Sequence, residues 1–211
     1  MTSFIPIFPL SIVVYPGEDL NLHIFEPRYK QLIEDCFAEN KPFGIPTVLN
    51  NAVADHGTQV HITNIKAVYD DGKMDISTQG GAVFALLEMI PQLPDKLYSG
   101  AIVNYPANGL QTNSALQQTV LQTIKKLHVL LAITKNFKKP DHSLTSYDLA
   151  HHAGLNLAEE FELLKLMQET QRLEYLRRHL SKVVPIIEEM ETLKERVKLN
   201  GHFRELKGLG F

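Results

Sequence analysis

The stretch "HIFEPRY", residues 23–29, decides how the N-terminal half of this chain is read. It places a histidine, a glutamate, an arginine and a tyrosine in seven positions, the makings of a small catalytic group. Its neighbours favour architecture instead. Before it, "LNLHIF" alternates apolar and polar residues as a half-buried strand does. After it, Tyr29, Leu32, Ile33, Cys36 and Phe37 fall at helical spacing, so an amphipathic helix is expected from Pro27 to about Glu39, with Lys30, Gln31, Glu34 and Asp35 towards water. Pro27 suits the first helical turn, where its missing N–H has no intrahelical acceptor. Glu26 then stands at the cap, a negative charge near the positive end of the helix dipole. Glu26 and Arg28 lie two positions apart, a spacing that points side chains in different directions on a helix, so no ion pair is expected between them.

Outward from this corner, residues 1 to about 106 keep strand grammar. Runs such as "IVVY", "FGIPTVL" and "SGAIVNY" are separated by Pro, Gly, Asn and Asp. Val60 and Ile62 on one side, and Met74, Ile76 and Thr78 on the other, alternate with polar neighbours around Asp71 and Gly72, which predicts a β-hairpin. "GGAVFALLEMI" reads as a further strand. The segment "PANGLQTNS", 106–114, is the expected boundary, and beyond it the apolar period changes from two to about 3.6. Leu116, Val120, Ile124, Leu127 and Leu131 mark a long helix. "TSYDLAHHAG" reads as a short helix with a hydroxyl cap and a closing Gly154, and Asn156 with Glu159 as a capping box opening another. Leu173, Leu176, Leu180, Val183, Ile187, Met190 and Val197 then form a seam at 3-4 spacing, interrupted by Lys194. Pro185 inside it costs about 3 kcal/mol, but the flanking apolar residues can each contribute roughly 1.5–3 kcal/mol when buried. One kinked helix is therefore expected there.

Composition limits the function classes. With 211 residues, 44% hydrophobic and 21% charged, the chain is globular rather than disordered. A net charge of −3 gives no general attraction to nucleic acid or anionic lipid. The single cysteine, Cys36, excludes an intrachain disulfide and fits a reducing compartment. "FIPIFPLSIVVY" is apolar, but no basic residue precedes it and Pro6, Pro9 and Pro16 interrupt it, so it reads as strand and not as a signal peptide. No run approaches the roughly 18 apolar residues of a membrane span. A cytoplasmic protein with no membrane partner is expected.

The reactive-looking residues point to little chemistry. Cys36, with His56 or His61 as a base, could be a nucleophile, yet it lies on the apolar stripe of its helix, where a thiol behaves as a small hydrophobe. His151 and His152 cannot share a helix face, and no further ligand stands at metal-site spacing. Gly80 and Gly81 lack the third glycine and following helix of a dinucleotide site. Lys125, Lys126, Lys135, Lys138 and Lys139 form one basic cluster that could meet phosphates. A second, Arg172, Arg177, Arg178 and Lys182, is interleaved with Glu169 and Glu174 and reads as a solvated helix face.

The residues "IPIFPLSIVVYPGEDLNLHIFEPRYKQLIEDC" resemble the opening of the Lon protease N-terminal, substrate-binding domain, in the stand-alone form without the ATPase and peptidase modules. Pro6, Phe8, Pro9, Leu10, Val13, Pro16, Gly17, Leu20, Leu22, the run Ile24 to Tyr29, and Leu32 fall where that pattern expects them. Gly44, Gly57, Thr58, Asp71 and Gly72 continue it. "FELLKLMQETQRLEYLRRHL" and "KLNGHFRELK" resemble the family's later helices more loosely. Where the family usually has an Arg after the hairpin glycine, this chain has "GGAVFALL".

The resemblance implies an α+β fold: a PUA-like β pseudo-barrel with one packed helix over residues 1–108, followed by an α-helical bundle over 109–211. It implies a non-catalytic module that binds unfolded or degron-bearing polypeptides, or a protein partner as an adaptor. No catalytic residue, cofactor or metal is expected. Pro9, Leu10, Pro16, Gly17, Leu22, Phe25, Glu26, Pro27, Arg28, Tyr29, Gly44 and Gly57 are expected to serve mainly as structure. An RNA-binding PUA-like protein is the alternative. An enzyme would need a deep pocket joining Glu26, Arg28 and a histidine. The helical seam can close within the chain or across a homodimer.

Overall fold

The computed structural model describes residues 2–109, 111–134 and 136–206, with side chains described as far as residue 197. Contacts divide the chain into two compact units, Met1–Gln111 with Leu155–Glu169, and Thr112–Gly154 with Thr170–Phe211.

The first unit is built on a six-stranded antiparallel sheet. Its strands are β1 (Thr2–Pro6), β2 (Asp19–Ile24), β3 (Phe43–Leu49), β4 (Ala52–Val68), β5 (Met74–Ile90) and β6 (Gly100–Asn104), in the order β1-β6-β5-β4-β3 with β2 alongside the first half of β5. The two ends of this path meet: Ile7 bridges to Gly44, and Leu10 to Thr47, which closes the sheet into a pseudo-barrel. Helix α1 (Pro27–Ala38) packs Tyr29, Leu32, Ile33 and Cys36 into a core with Phe8, Phe43, Ile45, Val60 and Met74. The expected helix is therefore present, except that Phe37 leaves the buried stripe and is 50% exposed.

The hairpin between β4 and β5 forms as expected. Gly72 donates its N–H to Tyr69 O at 2.8 Å and sits at φ +73°, so Tyr69 to Lys73 close a three-residue loop that needs one left-handed residue. β5 runs unbroken through Gly80 and Gly81 to Ile90, so "GGAVFALLEMI" is the second half of one long strand. Gly80 allows a close passage there: a Cβ on it would lie 2.1 Å from Tyr15 O. The expectation that "IVVY" forms a strand is corrected. Val13, Val14 and Tyr15 are buried, yet they pair with no strand. Their backbone is held by side chains instead, Thr58 Oγ1 donating to Val14 O and Tyr15 N–H to Glu18 Oε2.

In the second unit, α2 (Ser114–Leu130) starts at Asn113, whose side chain accepts from Leu116 N–H. Helix α3 (Ser146–Ala150) carries a full capping box from Thr145 and Asp148. Between the pieces of this unit the chain returns to the first for α4 (Leu157–Leu164), whose capping box is Asn156 with Glu159. Residues 155–169, read from sequence as part of the helical bundle, thus belong with the strands. Tyr15 OH donates to Glu160 O at 3.2 Å, and Gly109 exchanges backbone bonds with Met167 and Glu169.

Helix α5 (Glu169–Leu206) passes through Pro185 without ending, so the expected single helix is present, although of the residues expected to offset the proline only Leu180 is buried. Its seam is buried only in part. Leu173, Leu176, Leu180 and Val184 are buried, whereas Met190 and Val197 are exposed and Ile187 is intermediate. Arg172 is also corrected, because its side chain is fully buried and is no part of a solvated face. It donates Nε–H to Ser146 Oγ at 2.8 Å and lies 4.1 Å over the Tyr147 ring, pinning α3 to α5. The family-like stretch "KLNGHFRELK", from residue 198, lies outside the described side chains.

Candidate functional site

Strand β2 carries the corner residues to the surface. Leu20 and Leu22 are half-buried and Ile24 buried, so the period of two turns Asp19, Asn21 and His23 outward. Across the register from them stand Gln79, Ser77 and Asp75 of β5, and the facing side chains bond one another. His23 Nδ1 lies 2.7 Å from Asp75 Oδ1, and Tyr69 OH donates to Asp75 Oδ2 at 2.5 Å. These two bonds hold the Asp75 carboxyl below its usual range, Tyr69 contributing most, and Tyr69 is raised in turn by the same bond. An ionised Asp75 can only accept, so His23 places its proton on Nδ1.

Around this polar knot sits an exposed aromatic surface. Phe25, at the end of β2, is 57% exposed, and its ring stacks near His23 at 6.2 Å. His23 in turn meets Tyr69 edge-on at 6.2 Å. Beside them is an open depression of about 450 Å³ lined by His23, Tyr69, Asp70, Asp71 and Lys73. Lys30 of α1 donates to Asp71 O at 2.9 Å and ties the corner helix to the hairpin loop. Corner and hairpin therefore present one surface of apolar rings with charged edges.

The rest of the motif packs beneath. Tyr29 stacks on Phe8 with ring centres 3.8 Å apart, which joins "HIFEPRY" to the earlier "FPL" run. Pro9 and Leu10 lie on the stretch that Leu10 bonds to β3, Leu10 N–H donating to Pro46 O and Val48 N–H to Leu10 O. Pro16 and Gly17 make the turn before β2: Glu18 N–H donates to Tyr15 O, and Gly17 sits at φ +82°, the conformation a glycine supplies at the third position of such a turn. Gly44 O accepts from Phe8 N–H. A Cβ on Gly57 would lie 2.4 Å from Ile45 O, so only glycine lets β4 run this close to β3.

Glu26 is the N-cap residue of α1 at φ −74°, ψ 135°, and its side chain caps nothing. It takes Arg28 instead, through Nε at 2.9 Å and a second guanidinium nitrogen at 2.7 Å, while Arg28 lies 4.5 Å over the Tyr29 ring. The expected lack of a Glu26–Arg28 pair is thereby corrected. The spacing rule holds for two residues inside a helix, and Glu26 is still extended. His23 and Arg28 have separate carboxylate partners and half-exposed side chains, an arrangement unlike the closed pocket that an enzyme at this corner would need.

Of the other candidates, Cys36 is buried, and burial with the nearby Asp35 and Glu39 pushes its thiol up to about 12, far from a reactive thiolate. His56 pairs with Asp55 and lies edge-on to Phe161, and His61 lies 3.3 Å from the Gln59 amide. His152 faces His128 at 3.3 Å, and Phe137 covers it at 4.4 Å. Among the described residues, no three His, Cys, Asp or Glu side chains are grouped to hold a metal ion. The first basic cluster is largely matched by carboxylates: Lys125 with Asp141, Lys126 with Glu188, and Lys139 with Asp148. Lys135 lies outside the described residues. In the second cluster, Arg177 and Arg178 both bind Glu174, which they hold down at about 2.

Sequence reasoning missed Tyr69, Asp75 and Lys73. The signal was present, because Met74, Ile76 and Thr78 were read as the inner face, which leaves Asp75, Ser77 and Gln79 outward opposite β2.

Residues 5–182 match the family model described as the ATP-dependent protease La (LON) substrate-binding domain. Among solved structures, the chain is similar to a Lon N-terminal domain protein from Xanthomonas campestris, at 25% identity and a TM-score of 0.62, over 83% of this chain and 98% of that one. It shares its fold with the N-terminal domain of the Mycobacterium avium complex Lon protease, at 17% identity and a TM-score of 0.63, over 86% of this chain and 100% of that one. Among the described residues, no helix is long and apolar enough to cross a membrane.

Proposed function

The chain belongs to the family of Lon substrate-binding domains, and from that membership we propose that it is a non-catalytic module that binds unfolded or degron-bearing polypeptides. The observation that carries this reading is the exposure of Phe25. Ile24 and Tyr29 of the same motif are buried, and the sheet's outward residues along β2 are polar, yet this one large ring faces water beside His23 and Tyr69. An unfolded chain offers apolar side chains for such rings and backbone groups for the polar edges, contacts that require no particular sequence. The same surface suits an adaptor that docks a folded protein partner. A reducing, cytoplasmic setting belongs to the proposal, since the one thiol is buried and forms no disulfide.

Binding to a permanently unfolded polypeptide, such as a reduced and carboxymethylated protein, tests the reading by fluorescence anisotropy. A saturable complex that changes little with salt is expected. No complex at high micromolar concentration contradicts it. RNA binding that falls steeply as salt rises would move the function to the alternative class.

A further inference from the structure

Part of the sheet in the first unit is left with open edges. β3 pairs with β4 only as far as Val60, and β6 pairs with β5 only from Ala85, so past these points β2 and the second half of β4 flank β5 as a three-stranded arm. An open strand edge invites a further strand, and proteins guard such edges with bulges, lysine or proline. The β4 edge has these guards: its register shifts between Ile62 and Asn64 and again between Ile65 and Ala67, and it carries Lys66. The β2 edge has none of them. Asp19 to Ile24 pair with Gln79 to Met74 without a shift, and the strand contains no proline and no lysine.

Backbone alternation decides which groups face that edge. Gly80 N–H donates to Glu18 O at 2.8 Å, and Thr78 Oγ1 donates to Leu20 O at 3.1 Å, so the even-numbered residues turn their backbone groups to β5. Asn21 and His23 therefore turn N–H and C=O the other way. Their side chains agree, since Asn21 with Ser77 and His23 with Asp75 bond across the close, non-hydrogen-bonded pairs of the ladder. Both residues are exposed, and among the described residues neither makes a backbone hydrogen bond on the open side.

We propose that this edge takes an extended segment of an unfolded polypeptide as an added strand. The inference rests on the polypeptide-binding reading above and names the groups that hold the bound chain. Donors and acceptors that recur every two residues, about 6.8 Å apart, are matched by another extended backbone. Such bonds use groups that every polypeptide carries, so they require no particular sequence. The edge runs out at Phe25, whose exposed ring lies where a side chain of the added strand would meet it. Half-buried Leu20 and Leu22 would be covered at the same time.

Amide hydrogen exchange of the isotope-labelled full chain, read by NMR with and without a reduced and carboxymethylated protein, tests this. The amides of Asn21 and His23 should gain protection on binding, while that of Leu22, already bonded to β5, should not change. With about nine-tenths of the chain bound, exchange at the two amides slows by about tenfold, because only the free fraction exchanges. Binding without protection at Asn21 and His23 overturns the added strand and leaves the polypeptide-binding reading standing. No binding overturns both. Protection that appears in the chain alone as its concentration rises gives the edge to a second copy, and that also overturns the proposal. Asn21→Pro gives a second readout, because it removes an outward N–H that the β5 ladder does not use. Asn21→Ala is its reference, since both variants lose the side-chain bonds to Lys66 and Ser77. The proline variant should bind about tenfold more weakly than the alanine variant. Equal affinities overturn the proposal. Should the proline variant fail to fold by far-UV circular dichroism, the exchange pattern of the wild-type chain decides alone.

Discussion

Replacing Gly57 by alanine should damage the barrel more than its single added carbon suggests. The new Cβ would lie 2.4 Å from Ile45 O, 2.5 Å from Pro46 Cα and 2.7 Å from the Phe84 ring. Two of these are backbone atoms of β3, which cannot swing aside as a side chain could, and Phe84 is fully buried. Relief requires β3 and β4 to separate where Pro46 pairs with Gly57. The cost should reach the upper end of the overpacking range, about 3 kcal/mol. In urea, with a slope of about 2 kcal/mol/M, that is a midpoint lower by roughly 1.5 M at unchanged slope. Far-UV circular dichroism of the unfolding transition measures it. Gly81→Ala is the control, because its Cβ would come no closer than 3.2 Å to Gln59 O and should cost within about 1 kcal/mol of nothing. A Gly57→Ala chain as stable as the Gly81→Ala chain would refute the view that this motif glycine serves close backbone approach.

Arg172→Ala should destabilise the helical unit by about 3 kcal/mol or more, since it opens a large cavity and leaves buried Ser146 short of a donor. Arg172→Met, which refills part of the space, should fall between that variant and the wild type in the same urea assay. Asp35 gives a pH dependence. The hydrogen bond from Lys96 at 2.7 Å, joined by one from Tyr98 at 2.8 Å and by the Lys96 charge, holds its carboxyl below the usual range, although burial opposes them. A depressed folded value means the stabilisation is present above the unfolded value, about pH 4, and is lost as pH falls through the folded one. The stability gap between wild type and Asp35→Asn should therefore narrow on acidification, and a gap that widens would contradict the assignment.

Much of the first unit was legible because its signals are local. The α1 stripe, Pro27 at the helix start, the hairpin around Gly72 and the capping box at Asn156 each depend on residues within one or two turns. The misread features depend on distant partners. "IVVY" has strand composition, but Gly80 brings β5 against Tyr15 and side chains take the backbone bonds a neighbouring strand would have taken. Arg172 looks solvated by composition, and only the return of α3 beside α5 gives it Ser146 and Tyr147. Residues 155–169 keep helical period while packing with strands, and period does not reveal which unit a helix joins. At the corner, spacing predicted that Phe25 ends a strand, but the surface around it depends on the distant hairpin, where Tyr69, just past β4, and Asp75, at the start of β5, meet His23.

The central claim is that the Phe25, His23 and Tyr69 surface grips polypeptide, and it is tested most directly on one variant by two measurements made together. Phe25→Ala removes a ring that is mostly in water, so its unfolding midpoint should match the wild type within about 0.5 kcal/mol. Its affinity for the permanently unfolded polypeptide should fall by about tenfold or more, the loss expected for an aromatic anchor. Unchanged affinity in a variant of unchanged stability would contradict the claim.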